Sequence, residues 1–170
     1  MNNGHTHRHE KNTGGIRRIL ITTADNIKTG CCDPDTGAYR SLSLHNPESI
    51  AEYPFAENAA AYREETDVRD GIPSVVHSLE FDTDKIDQAS DRLIRQLTTH
   101  SYTGLVAVIT TNNHVRLVVG YSEEHLAERP LRLEKITARA GKKHTETGHE
   151  TVCLTSRDTA KARILDGNIG

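Results

Sequence analysis

The sequence predicts an α+β fold: an antiparallel β-sandwich or open barrel of about seven strands, with one long helix over 84–100 packed on it. Three observations predict it. Gly104 to Tyr121 carries two β-branched runs flanking Asn112-Asn113, a dipeptide that tolerates positive φ, and this is a hairpin signal. Ile86, Ala89, Leu93, Ile94 and Leu97 fall at helical spacing and make one apolar stripe, which needs a sheet to cover. Segments 74–81 and 131–138 alternate apolar and polar residues as half-buried strands do, and 151–156 reads as a closing strand.

Taken in order, residues 1–15 are polar and glycine-rich and read as a disordered arm. The first strand is Ile16 to Thr23, with Ile16, Ile19, Leu20 and Ile21 as its apolar members. Asp33-Pro-Asp-Thr-Gly37 is a turn: proline presets φ, the aspartates bond nearby backbone and glycine takes positive φ. Tyr39 to Leu44 alternates as a strand, and Pro47 and Pro54 bracket an irregular stretch. Phe55 to Asp67 reads either as a helix, from the propensity of Ala59 to Glu65, or as a strand with Ala59, Ala61 and Arg63 on one face.

Val75, His77, Leu79 and Phe81 share the apolar face of the next strand. Thr83 or Asp84 then caps the helix, and Asp82, Asp84 and Asp87 near its start suit the positive end of its dipole. Ser122, Glu123 and Glu124 read as the cap and first turn of a short helix over 122–128, ended by Pro130. In 131–138 the apolar positions fall out of register at Ile136, and a bulge near Lys135 repairs this. Gly141 to Gly148 is an exposed loop, and 151–156 pairs back onto 131–138. The domain organisation is therefore an arm (1–15), one α+β domain (16–160) and a C-terminal tail (161–170).

Composition narrows the function. Hydrophobic residues make up 35%, with no Trp and two Phe, which is lean for one compact core. Either much of the chain is exposed, or apolar surface is buried against partner subunits. A net charge of −3 gives no general pull toward nucleic acid or anionic membrane. No run approaches the ~20 apolar residues of a membrane helix, and the N-terminus lacks the apolar stretch of a secretory signal. Cys31, Cys32 and Cys153 are odd in number, with two adjacent, and read as free thiols of a reducing cytoplasm.

Candidate chemistry is sparse. His5, His7 and His9 alternate and could face one metal ion, but a polar arm offers no supporting shell, so they read as a solvated tail. Cys31-Cys32 beside Asp33 and Asp35 has four potential ligands at a spacing that zinc sites do not use. Asp33 to Gly37 lacks the twelfth-position glutamate of a calcium loop. Glu123, Glu124 and His125 put carboxylates beside an imidazole after a strand, a weak acid/base signal with no nucleophile tied to it. His77 reads as a satisfied core or interface histidine, and Lys142-Lys143-His144 is too small a basic patch to argue nucleic acid. No phosphate loop, nucleophile elbow or zinc-protease motif occurs. No catalytic, cofactor-binding or metal-binding residue is assigned, and no cofactor is expected.

The runs Gly104-Leu-Val-Ala-Val-Ile-Thr-Thr-Asn112, Leu117-Val-Val-Gly-Tyr-Ser-Glu-Glu124, Ala127-Glu-Arg-Pro-Leu-Arg-Leu133 and Thr151-Val-Cys-Leu-Thr-Ser-Arg-Asp-Thr159 resemble a family of small virion proteins of tailed phages and prophages. The resemblance covers roughly 74–160 and transfers no functional residue. It implies a non-enzymatic tail subunit, of tube or tail-completion type, that assembles with copies of itself and with other virion proteins. Such subunits are sandwiches or barrels with one packed helix, joined through sheet edges and reaching arms. The expected partners exclude membrane and sequence-specific nucleic acid. The expected location is the virion, and the host cytoplasm during assembly. The contact surfaces expected on this basis are the arm, the 141–148 loop, any exposed sheet edge and segment 55–67. A monomeric binding or accessory module of a mobile element is the alternative.

Overall fold

The computed structural model describes residues 15–140 and 148–170. The expectations for the arm, for His5, His7 and His9, and for the 141–148 loop with Lys142, Lys143 and His144 lie outside the described residues, apart from Gly15 and Gly148. The chain runs β1 (Ile16–Thr23), β2 (Ile27–Cys32), β3 (Tyr39–Leu44), β4 (Ala51–Glu52), β5 (Ala60–Arg69), β6 (Ile72–Asp82), α1 (Gln88–Ser101), β7 (Leu105–Thr111), β8 (Arg116–Val119), β9 (Arg132–Arg139), β10 (His149–Asp158) and β11 (Arg163–Ile169). One sheet has seven strands in the order β2-β3-β11-β8-β7-β1-β4, and the other has four in the order β5-β6-β10-β9. The fold is a sheet-rich α+β arrangement with one α-helix among the described residues, and neither sheet closes into a barrel. Eleven strands form among those residues, against about seven expected.

Strand β7 explains why the Leu105–Ile109 run is continuously apolar. Leu105, Ala107 and Ile109 face a cluster with Leu79, Phe81, Ile94, Leu97, Val152 and Leu154, which joins both sheets and the helix. Val106 and Val108 face a second cluster with Tyr39, Leu42, Val118, Tyr121 and Leu165. A strand buried on both faces loses the polar alternation of a half-buried one. The hairpin to β8 forms as expected, but the left-handed residue is His114 (φ 64) and neither asparagine takes positive φ. Thr111 N donates to Val115 O and His114 N donates to Thr111 O, both at 2.9 Å. This closes a three-residue turn whose last residue must be left-handed.

The helix starts later than the sequence suggests. Thr83 is held by the sheet: its N donates to Glu150 O and its Oγ1 accepts from Glu150 N, both at 2.9 Å. The cap is Asp87, which accepts from Ser90 N at 2.8 Å while Ser90 Oγ accepts from Asp87 N at 3.0 Å, a reciprocal capping box. Neither Thr83 nor Asp84 caps, Ile86 is half-exposed, and Ala89 is exposed. The buried face is Ser90, Ile94, Leu97 and Ser101, flanked by Leu93.

Segment 55–67 resolves as strand from Ala60, with Ala60, Tyr62 and Glu64 turned inward while Ala61 and Arg63 are exposed. Its hairpin with β6 closes at Asp70-Gly71, both at positive φ (52° and 78°), between the paired Arg69 and Ile72. That is the two-residue turn whose twist matches the flanking strands. Strands β9 and β10 pair antiparallel, with a register shift that places Leu133 and Lys135 opposite the adjacent Leu154 and Cys153. This is the bulge the out-of-register pattern required.

Two expectations fail here. Residues 122–128 form turns and no helix: Leu126 lies at φ 51, a conformation that stops helix growth, and Ser122 bridges to Leu126. The segment expected as a tail, 161–170, contributes β11, an interior strand of the larger sheet. Arg163 and Ile164 pair with β8, and Leu165, Asn168 and Ile169 pair parallel with β3, the one parallel pairing among the described strands. Gly167 lies so close to the Arg40 carbonyl that a Cβ there would overlap it.

Candidate functional site

The polar side chains gather along the 158–163 connection between β10 and β11. On one side, His125 Nε2 lies 2.9 Å from Thr159 Oγ1 and 3.6 Å from the buried Asp158 Oδ1. Asp158 Oδ1 also accepts from Thr159 N at 2.6 Å and from Ala160 N at 3.4 Å, an Asx-type turn that starts the connection. Hydroxyl, imidazole and carboxylate thus meet, but both polar partners address the same ring nitrogen. A nucleophilic relay needs the acid on Nδ1 and the hydroxyl on Nε2. The expected companions of His125 turn elsewhere: Arg163 Nη2 holds Glu124 at 2.7 Å and Glu123 at 3.3 Å, while Arg163 Nη1 donates to Gly37 O at 3.0 Å. Ser122 Oγ accepts from His125 N at 3.2 Å, so the cap bond forms without the helix. An open groove of about 420 Å³ runs over this clasp between Thr36–Ala38 and Thr159–Ile164.

On the other side lies His77, buried on β6 as its alternation implied. Its Nε2 meets the Ala160 carbonyl at 3.1 Å, so that nitrogen carries a proton and donates it. Its Nδ1 lies 2.8 Å from Tyr62 Oη, and Tyr62 donates to Glu64 Oε2 at 3.0 Å. Glu64 Oε2 also accepts from Ala162 N at 2.8 Å, and Lys161 Nζ stands 4.0 Å from Oε1. Burial, and then the Glu64 carboxylate, push the Tyr62 hydroxyl well above its ordinary value, so it stays a donor. His77 is therefore a satisfied histidine that ties β5 and β6 to the connection. Glu64 and Asp158 are the partners the sequence reading missed, and Asp158-Thr159, an Asx-turn pair at a strand end, is the signal that marks one of them.

The cysteine and aspartate segment behaves as a turn. Asp33 Oδ1 accepts from Asp35 N at 2.9 Å, Asp33 O accepts from Gly37 N at 2.8 Å, and Gly37 takes φ 71. Arg40 grips Asp33 Oδ2 at 2.6 and 2.9 Å and holds that carboxyl below its usual range. All three cysteines are unpaired. Burial, with Glu123 nearby, raises Cys32, and burial together with the Glu80 carboxylate pushes Cys153 up to about 11. Neither is tuned as a thiolate nucleophile. Among the described residues no three His, Cys, Asp or Glu side chains converge as metal ligands, and no helix is long and apolar enough to cross a membrane.

The remaining candidates are surfaces. Strands β5 and β9 are the open edges of the four-stranded sheet. Beyond Val75, where β10 ends its pairing, the β5–β6 hairpin continues as a two-stranded arm whose residues 65–74 are all exposed, Val68 at 61% and Ile72 at 67%. On the outer face of the same sheet, an open cleft of about 660 Å³ runs along Val76, Ser78 and Thr155 and is flanked by Arg129, Arg132 and Arg157. Arg132 donates to Tyr102 O at 2.9 Å, whereas the guanidiniums of Arg129 and Arg157 have no partner among the described residues. Comparison with known proteins returns no family model, no curated protein and no solved structure that matches this chain.

Proposed function

We propose that the protein is a non-enzymatic structural subunit of a tailed-phage or prophage virion, a tail component of tube or tail-completion type that assembles with copies of itself. In this reading the two sheets form a two-layer sandwich with α1 closing one end of the shared core. The observation that carries it is the β5–β6 arm. An isolated two-stranded ribbon is marginal in water, and residues 65–74 expose apolar side chains with nothing from the described residues beneath them. The open edges β5 and β9 are further templates for a neighbouring strand. The resemblance over 74–160 supplies the virion assignment, with residence in the particle and in the host cytoplasm during assembly. The clasp geometry, with His125 Nε2 and both ring nitrogens of His77 engaged by structural partners, fits a scaffold.

The alternative is a monomeric binding or accessory module of a mobile element, with the same arm gripping a different protein. Light scattering coupled to size exclusion across a concentration series separates the two. Rings or growing tubes, with symmetry then assigned from negative-stain images, are the expected result. A mass of 18.8 kDa at every concentration moves the reading to the module.

A further inference from the structure

The geometry points to an asymmetric contact between copies: the β5–β6 arm of one chain seats in the arginine-flanked outer cleft of the four-stranded sheet of a second chain. The inference rests on the self-assembly reading above and names the two surfaces that would carry it.

The arm has the character of a ligand. Its tip presents Val68, Ile72 and Pro73, together with the carboxylates of Glu65, Asp67 and Asp70 against the single guanidinium of Arg69. Asp67 is paired to Arg69 at 3.0 Å and Glu65 lies 3.8 Å from Arg63, both largely in solvent, where such pairs hold weakly. Asp70 has no partner among the described residues. The face carrying Val68 and Pro73 continues the face that Val75, Leu79 and Phe81 bury a few residues earlier. It is core-type surface that has run past the end of its own core.

The cleft has the complementary character. Its floor is small and half-buried (Val76, Ser78 and Thr155), so a neighbouring strand can approach closely. Its rim carries three arginines against Glu128 and Glu134, and two of those guanidiniums have no partner among the described residues. An acidic, apolar-tipped ribbon over a basic, small-residue floor is matched in charge.

The arm cannot fill its own chain's cleft. The ladder from Ala60↔Phe81 to Arg69↔Ile72 is continuous and without a register shift, and the cleft lies along Val76 and Ser78 of that same β6. Ile72 therefore stands about 13 Å beyond Val76 along a straight strand, at ~3.3 Å per residue. A ribbon does not fold back onto its own root, so the occupant is another copy. Arm and cleft are different surfaces, which makes the contact heterologous, and a heterologous contact propagates into a ring or an open filament.

The test uses the full chain. Val68→Asp with Ile72→Asp in the arm, and separately Arg129→Glu with Arg157→Glu in the cleft, should each drop the scattering mass to the monomer while circular dichroism stays unchanged. A third chain carrying Glu65→Arg, Asp67→Arg and Asp70→Arg should also be monomeric alone and should co-assemble when mixed with the cleft-reversed chain. Wild-type assembly that survives all three variants overturns the contact and leaves self-assembly standing. Loss of assembly in each variant without rescue on mixing overturns the charge pairing on which the contact is argued. A wild type that remains monomeric up to millimolar concentration overturns the self-assembly reading itself, and this contact with it.

Discussion

The root and the tip of the β5–β6 hairpin share one ladder and differ in what lies beneath them. At the root, β6 places Val75, His77, Leu79 and Phe81 on the inner face, each 3% exposed or less. At the tip the same face carries Val68 and Pro73 in solvent. Hydrogen bonding is alike along the hairpin, so pairing alone does not decide which part is core. Burial against β10, α1 and the seven-stranded sheet decides it, at about 1.5–3 kcal/mol per large apolar side chain. The root is held by its own chain, and the tip is free to be held by something else.

The largest expected effect comes from removing an interior strand of the sheet against which the root packs. A chain ending at Ala162 lacks β11, strips Leu165 from the second cluster and leaves β3 and β8 without their shared neighbour. Its thermal transition by circular dichroism should lose cooperativity; a sharp transition near that of the full chain would show 163–170 to be dispensable.

Next, Phe81→Ala at the root should cost about 3–5 kcal/mol in urea unfolding, as large-to-small changes in a packed core do. Val68→Ala at the tip should stay within about 0.5 kcal/mol, as exposed substitutions do. Equal costs at the two positions would erase the contrast. Tyr62→Phe tests the polar part of the root. It removes the hydroxyl between His77 and Glu64 and should cost about 1–3 kcal/mol, because His77 Nδ1 and Glu64 Oε2 each lose a hydrogen bond.

The smallest effect is one of pH. Hydrogen bonds from Ser90, then the bond to Lys85, hold the Asp87 carboxyl below its ordinary value. A depressed folded value means the cap stabilises fully above the unfolded carboxylate value of about 4 and fades as pH falls through the folded one. Asp87→Asn should therefore flatten the acid limb of the stability profile below about pH 4 and leave its alkaline side unchanged. An unaltered acid limb would remove Asp87 from the helix's pH dependence.

Much of the root was legible. The alternation of 74–81 put His77 inside, the misfit at Ile136 required a bulge, and 151–156 was paired with 131–138. The tip carried an equally plain signal in Asp70-Gly71, a two-residue turn dipeptide, and segment 55–67 becomes unambiguous once that turn is read. The clasp was only half legible. Glu123, Glu124 and His125 are adjacent in sequence, yet the carboxylates go to Arg163 and the imidazole goes to Asp158 and Thr159. Neighbouring side chains in a turn diverge, and their partners arrive from 34 and 39 residues away.

By itself the sequence determined the periodic elements: β1, β3, the β6 face, the helix stripe at Leu93, Ile94 and Leu97, and the β7–β8 and β9–β10 hairpins. These follow from backbone geometry over a few residues, which spacing reports directly. Only the tertiary structure decided that β7 is buried on both faces, that Arg163–Ile169 is an interior strand, and that Val68 and Ile72 stand clear. Burial depends on what the rest of the chain brings to a surface, and no local pattern encodes it. Leu165 and Val68 sit in equally modest local sequence, and the difference between them is that one is covered and the other is not.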